Sequence, residues 1–135
     1  MAGREAMLET IYRAYDARAK GDIDGLMAAF HPNAVFELKG EREILAVAGS
    51  AQGHQNVRAV MTGLIENFEF LKREIVAEIV EGERAAVHSR LTIRYTSKNV
   101  TFTSELLDSF KFADGKIIEL VEFADTALIK SLLSP

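Results

Sequence analysis

A chain of 135 residues, 48% apolar and 27% charged, has the size and balance of one soluble globular domain spanning residues 1–135. Its net charge of −4, with no basic cluster interleaved with aromatics, argues against nucleic acid, and the lack of cysteine excludes disulfides, thiolate chemistry and Cys-ligated metal. No apolar run approaches the length of a membrane span, and the N-terminus leads straight into an amphipathic pattern rather than a secretory core, so a cytoplasmic protein is expected.

Leu8, Ile11, Tyr12, Tyr15 and Ala19 recur at helical spacing and predict a first helix over residues 3–20. Gly21-Asp22 supplies a helix-ending glycine and then an N-cap for a short second helix with Ile23, Leu26, Met27 and Phe30 on one side. Pro32-Asn33 stops it, and Ala34–Lys39 alternates like a strand. Residues 40–53 are punctuated by glycine, with a short strand possible over Ile44–Val47. Val57, Val60, Met61, Leu64, Ile65 and Phe68 define a third helix. Beyond it the period falls to two, giving strands over 71–80, 84–97, 99–112 and 116–124, separated at two points by Glu81-Gly82-Glu83 and Ala113-Asp114-Gly115. A last helix, Thr126–Leu133, follows the N-cap Asp125. Helices first and strands last mean α+β, with an antiparallel sheet covering the helices.

Two strand segments carry acids on faces that should be apolar. Asp108 shares its face with Phe102, Leu106, Phe110 and Phe112, and Glu119 and Glu122 are three apart, so one of them must turn inward. A buried acid is costly unless paired or protonated, which points to a pocket lined by Asp108 and Glu122. Their relation depends on the hairpin. A three-residue loop Ala113-Asp114-Gly115 sets Asp108 opposite Leu120 and diagonal to Glu122; a two-residue Asp-Gly loop shifts parity and puts the acids on opposite faces. The first is favoured because it joins Phe110 and Phe112 to Ile118 and Leu120.

Tyr12-Arg13-Ala14-Tyr15, Gly21-Asp22-Ile23-Asp24-Gly25-Leu26, Phe30-His31-Pro32-Asn33-Ala34-Val35-Phe36 and Gly115-Lys116-Ile117-Ile118-Glu119 resemble the nuclear transport factor 2-like superfamily, and within it the SnoaL-like polyketide cyclases and ketosteroid isomerases. The resemblance covers residues 8–130. It implies a cone-shaped, curved antiparallel sheet wrapped around three helices with a short C-terminal helix, a cystatin-like α+β roll. It also implies a homodimer formed through the outer sheet face around His88, Arg90 and Arg94.

Position by position, the isomerases' general-base aspartate corresponds to Leu38, and their oxyanion-binding tyrosine to Ala14 beside Tyr15. Their neutral aspartic acid corresponds to Asp108. An aspartate on the last strand of the cyclases and limonene epoxide hydrolases corresponds to Glu122, three residues before Asp125. The hydrolases' arginine and second aspartate fall near Ser89 and Leu91. The resemblance therefore counts against ketosteroid isomerisation and moves the chemistry away from Leu38, to the far end of the cone.

Two close carboxyls in an apolar setting share protons unequally, which suits proton abstraction beside a carbonyl or assisted ring closure. The expected catalytic residues are Glu122 as acceptor, Asp108 as protonated donor and Tyr15 as a phenolic donor. Arg18, one turn on, could neutralise Glu122 or hold a carboxylated ligand. Phe36, Leu38, Met61, Leu91, Phe110 and Leu120 are expected in the pocket wall with Arg18, the mouth lying between the first, third and last helices. The expected ligand is small, apolar or polyketide-like. His31, His54 and His88 have no chelating spacing, so neither metal nor cofactor is expected. The functional expectation is a cofactor-independent isomerase, cyclase or lyase, the alternative a non-catalytic ligand-binding or dimerisation module.

Overall fold

The structure, a computed structural model, describes residues 3–40 and 49–134. Its elements are α1 (Arg4–Lys20), α2 (Ile23–Met27), β1 (Phe30–Leu38), β2 (Gly49–Gln52), α3 (His54–Asn67), β3 (Phe68–Glu81), β4 (Arg84–Tyr95), β5 (Val100–Ala113), β6 (Lys116–Ala124) and α4 (Thr126–Leu133). The strand suggested over Ile44–Val47 lies outside the described residues.

Helix α1 ends where expected. Gly21 takes the left-handed conformation (φ 72°) that a side chain would strain, and its N–H closes on the last turn. The Asp22 carboxylate then accepts from Gly25 N–H at 2.9 Å and starts α2. At the far end of the chain Asp125 does the same for α4, accepting from Leu128 N–H.

Two boundaries differ from expectation. Phe30 belongs to β1 rather than α2, so Pro32 falls inside a strand. It is tolerated because the β1–β6 ladder is irregular between Phe30 and Val35, where a missing N–H costs no regular bond. Phe68 opens β3 instead of closing α3 and stacks on Tyr95, its partner across the β3–β4 ladder.

The six strands form one sheet in the order β2-β1-β6-β5-β4-β3. Every neighbouring pair is antiparallel except β1 and β6, which run parallel and join the first strand to the last. The sheet is therefore mixed, an α+β arrangement of N-terminal helices, six strands and a short terminal helix. α1, α2 and α3 cover its inner face through Met7, Ile11, Met27 and Val57, which pack on Phe36, Val87, Phe112 and Ile117 in the larger apolar cluster. A second cluster gathers Phe68, Leu91, Ile93, Tyr95 and Leu106 below α4.

Two of the irregularities in this sheet decide which residues near the cavity face inward. In β6, Phe112 pairs with Ile117 but Lys111 pairs with Glu119, leaving Ile118 as an extra residue. In β3, Phe70 pairs with Ile93 and Lys72 with Thr92, leaving Leu71 extra. Each bulge lets residues three apart, Ile117 and Leu120 or Phe70 and Arg73, share the inner face.

Candidate functional site

An apolar cavity lies between the two clusters, about 870 Å³ of empty space with its open mouth included. α1 supplies Ala14, Tyr15 and Arg18, α3 supplies Met61 and Leu64, and α4 supplies Ile129. Phe36, Leu38, Phe110 and Leu120 also line the cavity. Leu91 does not. It is buried to 1% exposure in the cluster below α4 and is the cross-strand partner of Arg73.

The acids meet more closely than either hairpin reading implied. The turn is the two-residue Asp114-Gly115, both residues left-handed (φ 55° and 75°), with Ala113 paired to Lys116. Alone it would turn Glu122 outward. The bulge at Ile118 restores parity, so that Asp108 is the direct cross-strand partner of Glu122. Opposed antiparallel residues lie about 4.5–5.5 Å apart at Cα, against the 7–8 Å of a diagonal pair. Leu38 is in register with Glu122 on the other side, so the position that lacks an acid adjoins the pair. The acid pair thus adjoins Leu38 and does not lie at the far end of the fold from it, where the sequence comparison had placed the chemistry.

Asp108 is 1% exposed. Its Oδ2 accepts from the Tyr15 hydroxyl at 2.6 Å, while Oδ1 is buried with no N–H or hydroxyl donor among the described residues. Glu122 is half-buried because cavity space touches it. Its pKa is raised well above the ordinary carboxylate value, first by burial, then by the Asp108 charge and by hydrogen bonding with Asp108; Arg18 and Arg73 oppose the rise. A proton on Glu122 would give Asp108 Oδ1 the donor it lacks. Burial, then the Asp108 charge, also pushes the Tyr15 phenol upward, which keeps it a donor at neutral pH.

Arg18 does not pair directly with Glu122. Its Nη2 donates to Phe68 O at 2.7 Å and Leu64 O at 3.1 Å, and its guanidinium covers the Phe70 ring at 3.8 Å. Burial lowers its pKa to about 10, Glu122 opposing and Arg73 adding to the fall. It is a fixed charge anchored to carbonyls at the end of α3.

Sequence reasoning missed Arg73. Its Nη1 donates to the buried Ser89 hydroxyl at 2.7 Å, and its guanidinium lies 3.5 Å from the centre of the Tyr15 ring. Strand alternation from Phe70 would have placed Arg73 outside, and only the bulge at Leu71 brings it in. Ser104, buried on β5, completes the polar lining.

The histidines lie elsewhere. His31 faces Asp114 at 3.1 Å, His54 meets Met27 O at 2.9 Å, and His88 pairs with Glu105 on the outer face. Among the described residues no group of three or more His, Asp or Glu side chains could hold a metal ion, and no helix is long and apolar enough to cross a membrane.

No curated relative matches the chain. Solved structures do. A proposed isomerase from Bacillus subtilis superposes with a TM-score of 0.87 at 12% identity, over 97% of this chain and 94% of that one. A proposed polyketide cyclase from Xanthomonas campestris gives 0.80 at 12% identity, over 98% and 100%. An epoxide hydrolase from M. tuberculosis, similar to limonene epoxide hydrolase, gives 0.73 at 14%, over 91% and 85%. At these identities the likeness establishes the fold, that of the nuclear transport factor 2-like proteins, on which isomerases, cyclases and hydrolases are found. The SnoaL-like domain matches residues 11–120, most of the chain and all of the strands that carry the acid pair's inner-face neighbours on β3 to β5, so the protein belongs to the SnoaL-like family.

Proposed function

We propose that this protein binds a small, flat, largely apolar carbonyl compound and performs cofactor-independent acid–base chemistry on it, as an isomerase, cyclase or lyase. One observation carries this reading: a carboxyl pair, buried Asp108 opposite half-buried Glu122, lines an apolar cavity with one oxygen, Asp108 Oδ1, lacking a donor among the described residues. Two such groups close together retain one proton between them, so one can donate while the other accepts.

The roles run opposite to the sequence expectation. Asp108 already accepts from Tyr15, so the shared proton belongs on Glu122. In an enolisation, Glu122 gives its proton to the carbonyl oxygen as Asp108 Oδ1 takes one from the adjacent carbon. The C–H electron pair becomes the C=C bond of the enol, and the carbonyl π pair becomes the new O–H bond. Return of a proton to another carbon completes an isomerisation. Alternatively, the enol C=C pair forms a C–C bond to a second carbonyl and closes a ring; that carbonyl's π pair takes the Asp108 proton, while the enol O–H returns its proton to Glu122 and the first C=O is restored. Tyr15 supports the Asp108 carboxylate until it takes the proton and orients it afterwards.

A silent binding pocket is the second reading, favoured by Leu38, which places a hydrocarbon beside Glu122 where a third polar group would widen the catalytic repertoire. Deuterium exchange separates the two. In D2O, wild type is expected to speed α-proton exchange of aryl methyl ketones over buffer, followed by proton NMR. Glu122→Gln should lose about 10²–10⁴-fold of that rate. Ketone binding without acceleration would leave the silent pocket as the function.

A further inference from the structure

Four ionisable side chains other than Tyr15 line the cavity: Arg18, Arg73, Asp108 and Glu122. When the acid pair holds one proton, two guanidiniums face a single carboxylate. The wall around them is otherwise almost entirely apolar. A surplus positive charge in such a place is costly unless an anion joins it.

The two arginines are not equivalent. Arg18 is 8% exposed and its Nη2 is committed to two backbone carbonyls. Arg73 is half-buried, and among the described residues its hydrogen-bond partner is a neutral hydroxyl, that of Ser89. No carboxylate oxygen of the described residues lies within ion-pair distance of either. A guanidinium carries five N–H donors in a fork that fits a carboxylate, and most of the Arg73 fork has no protein acceptor there. Its plane is held against Tyr15, whose hydroxyl reaches Asp108. The Arg73 guanidinium and the acid pair are therefore linked through Tyr15 and line the same cavity.

We propose that Arg73 is a carboxylate-recognition site and that the substrate class is a flat keto acid. The carboxylate binds Arg73 with Arg18 adding its charge, and the ketone points to Asp108 and Glu122. The ketone half of this assignment rests on the acid–base reading above, and the anion half does not.

The test uses 4-acetylbenzoate and its methyl ester, which share ring and ketone but differ in charge. Isothermal titration calorimetry on the wild type should show the acid binding about tenfold or more tighter than the ester. Arg73→Met should abolish the preference while leaving ester binding close to wild type. Arg73→Lys, which keeps the charge but loses the fork, should retain part of it. Should Arg73→Met fail to fold, as judged by circular dichroism, Arg73→Lys decides: weaker acid binding with unchanged ester binding supports the site, and unchanged acid binding overturns it. Equal binding of acid and ester by wild type, no binding of the acid, or a preference surviving Arg73→Met would also overturn it. Glu122→Gln should keep the preference. Exchange lost with preference intact leaves the anion site standing on its own; preference absent with exchange intact removes the anion site and spares the acid–base chemistry.

Discussion

The two faces of the sheet use the same charged residue types to opposite ends. On the outer face of β3, β4 and β5, Arg90 meets Glu74, Arg94 meets Glu69, and His88 meets Glu105. These pairs are water-exposed, and each of the two arginines is matched by a glutamate. On the inner face, Arg73, Asp108 and Glu122 line a cavity together with Arg18 of α1, and no arginine–carboxylate contact among the described residues there reaches ion-pair distance. Outside, charge is neutralised locally and does little for stability. Inside, it is desolvated and left incompletely matched, which is how a site acquires affinity and reactivity.

That contrast predicts a descending series of effects. The largest should come from Tyr15→Phe, which strips the donor from the fully buried Asp108 Oδ2. Leaving such an acceptor unsatisfied costs about 1–3 kcal/mol, read as a lower urea midpoint. A midpoint within error of wild type would mean that the Tyr15–Asp108 bond contributes nothing net. Next is a pH effect. Folding raises the Glu122 pKa, so the folded state favours its protonated form. Against the always-neutral Glu122→Gln, wild type should be best placed below the ordinary value of 4.5 and lose ground as pH rises through the raised value in the folded protein. Paired urea titrations across that window check it, and a constant difference would dismiss the coupling. The smallest effect belongs to the outer face. Arg90 and Glu74 are 47% and 58% exposed, so Arg90→Ala should shift stability by less than about 1 kcal/mol. A larger loss would show that the outer pairs act as a network.

Much of the fold is legible in residue order. Gly21-Asp22 and Asp125 mark helix ends because their chemistry is local: a left-handed turn, a carboxylate capping nearby amides. β4 alternates cleanly, so Val87, Ser89 and Leu91 could be told from His88 and Arg90. Asp108 announced itself as an acid among phenylalanines. What did not show was where alternation breaks. A bulge has no side-chain signature, and Leu71 and Ile118 are ordinary strand residues. Arg73 was missed for that reason, and the facing of Asp108 and Glu122 came out as a diagonal. Phe30 and Phe68 were assigned to the wrong elements because an aromatic at a boundary suits either neighbour.

The extra residue at Ile118 separates two decisions that a regular hairpin would bind together. Turn chemistry sets the tip at Asp114-Gly115, while the ladder beyond the bulge sets which carboxyls meet. In a perfect ladder the tip would dictate the phase of every residue down to Ala124. Here the phase slips once, near the tip, and everything below it runs on its own count. The acid pair is thus insulated from the hairpin's end, and its facing is set by Ile118, a residue whose side chain carries no ionisable group.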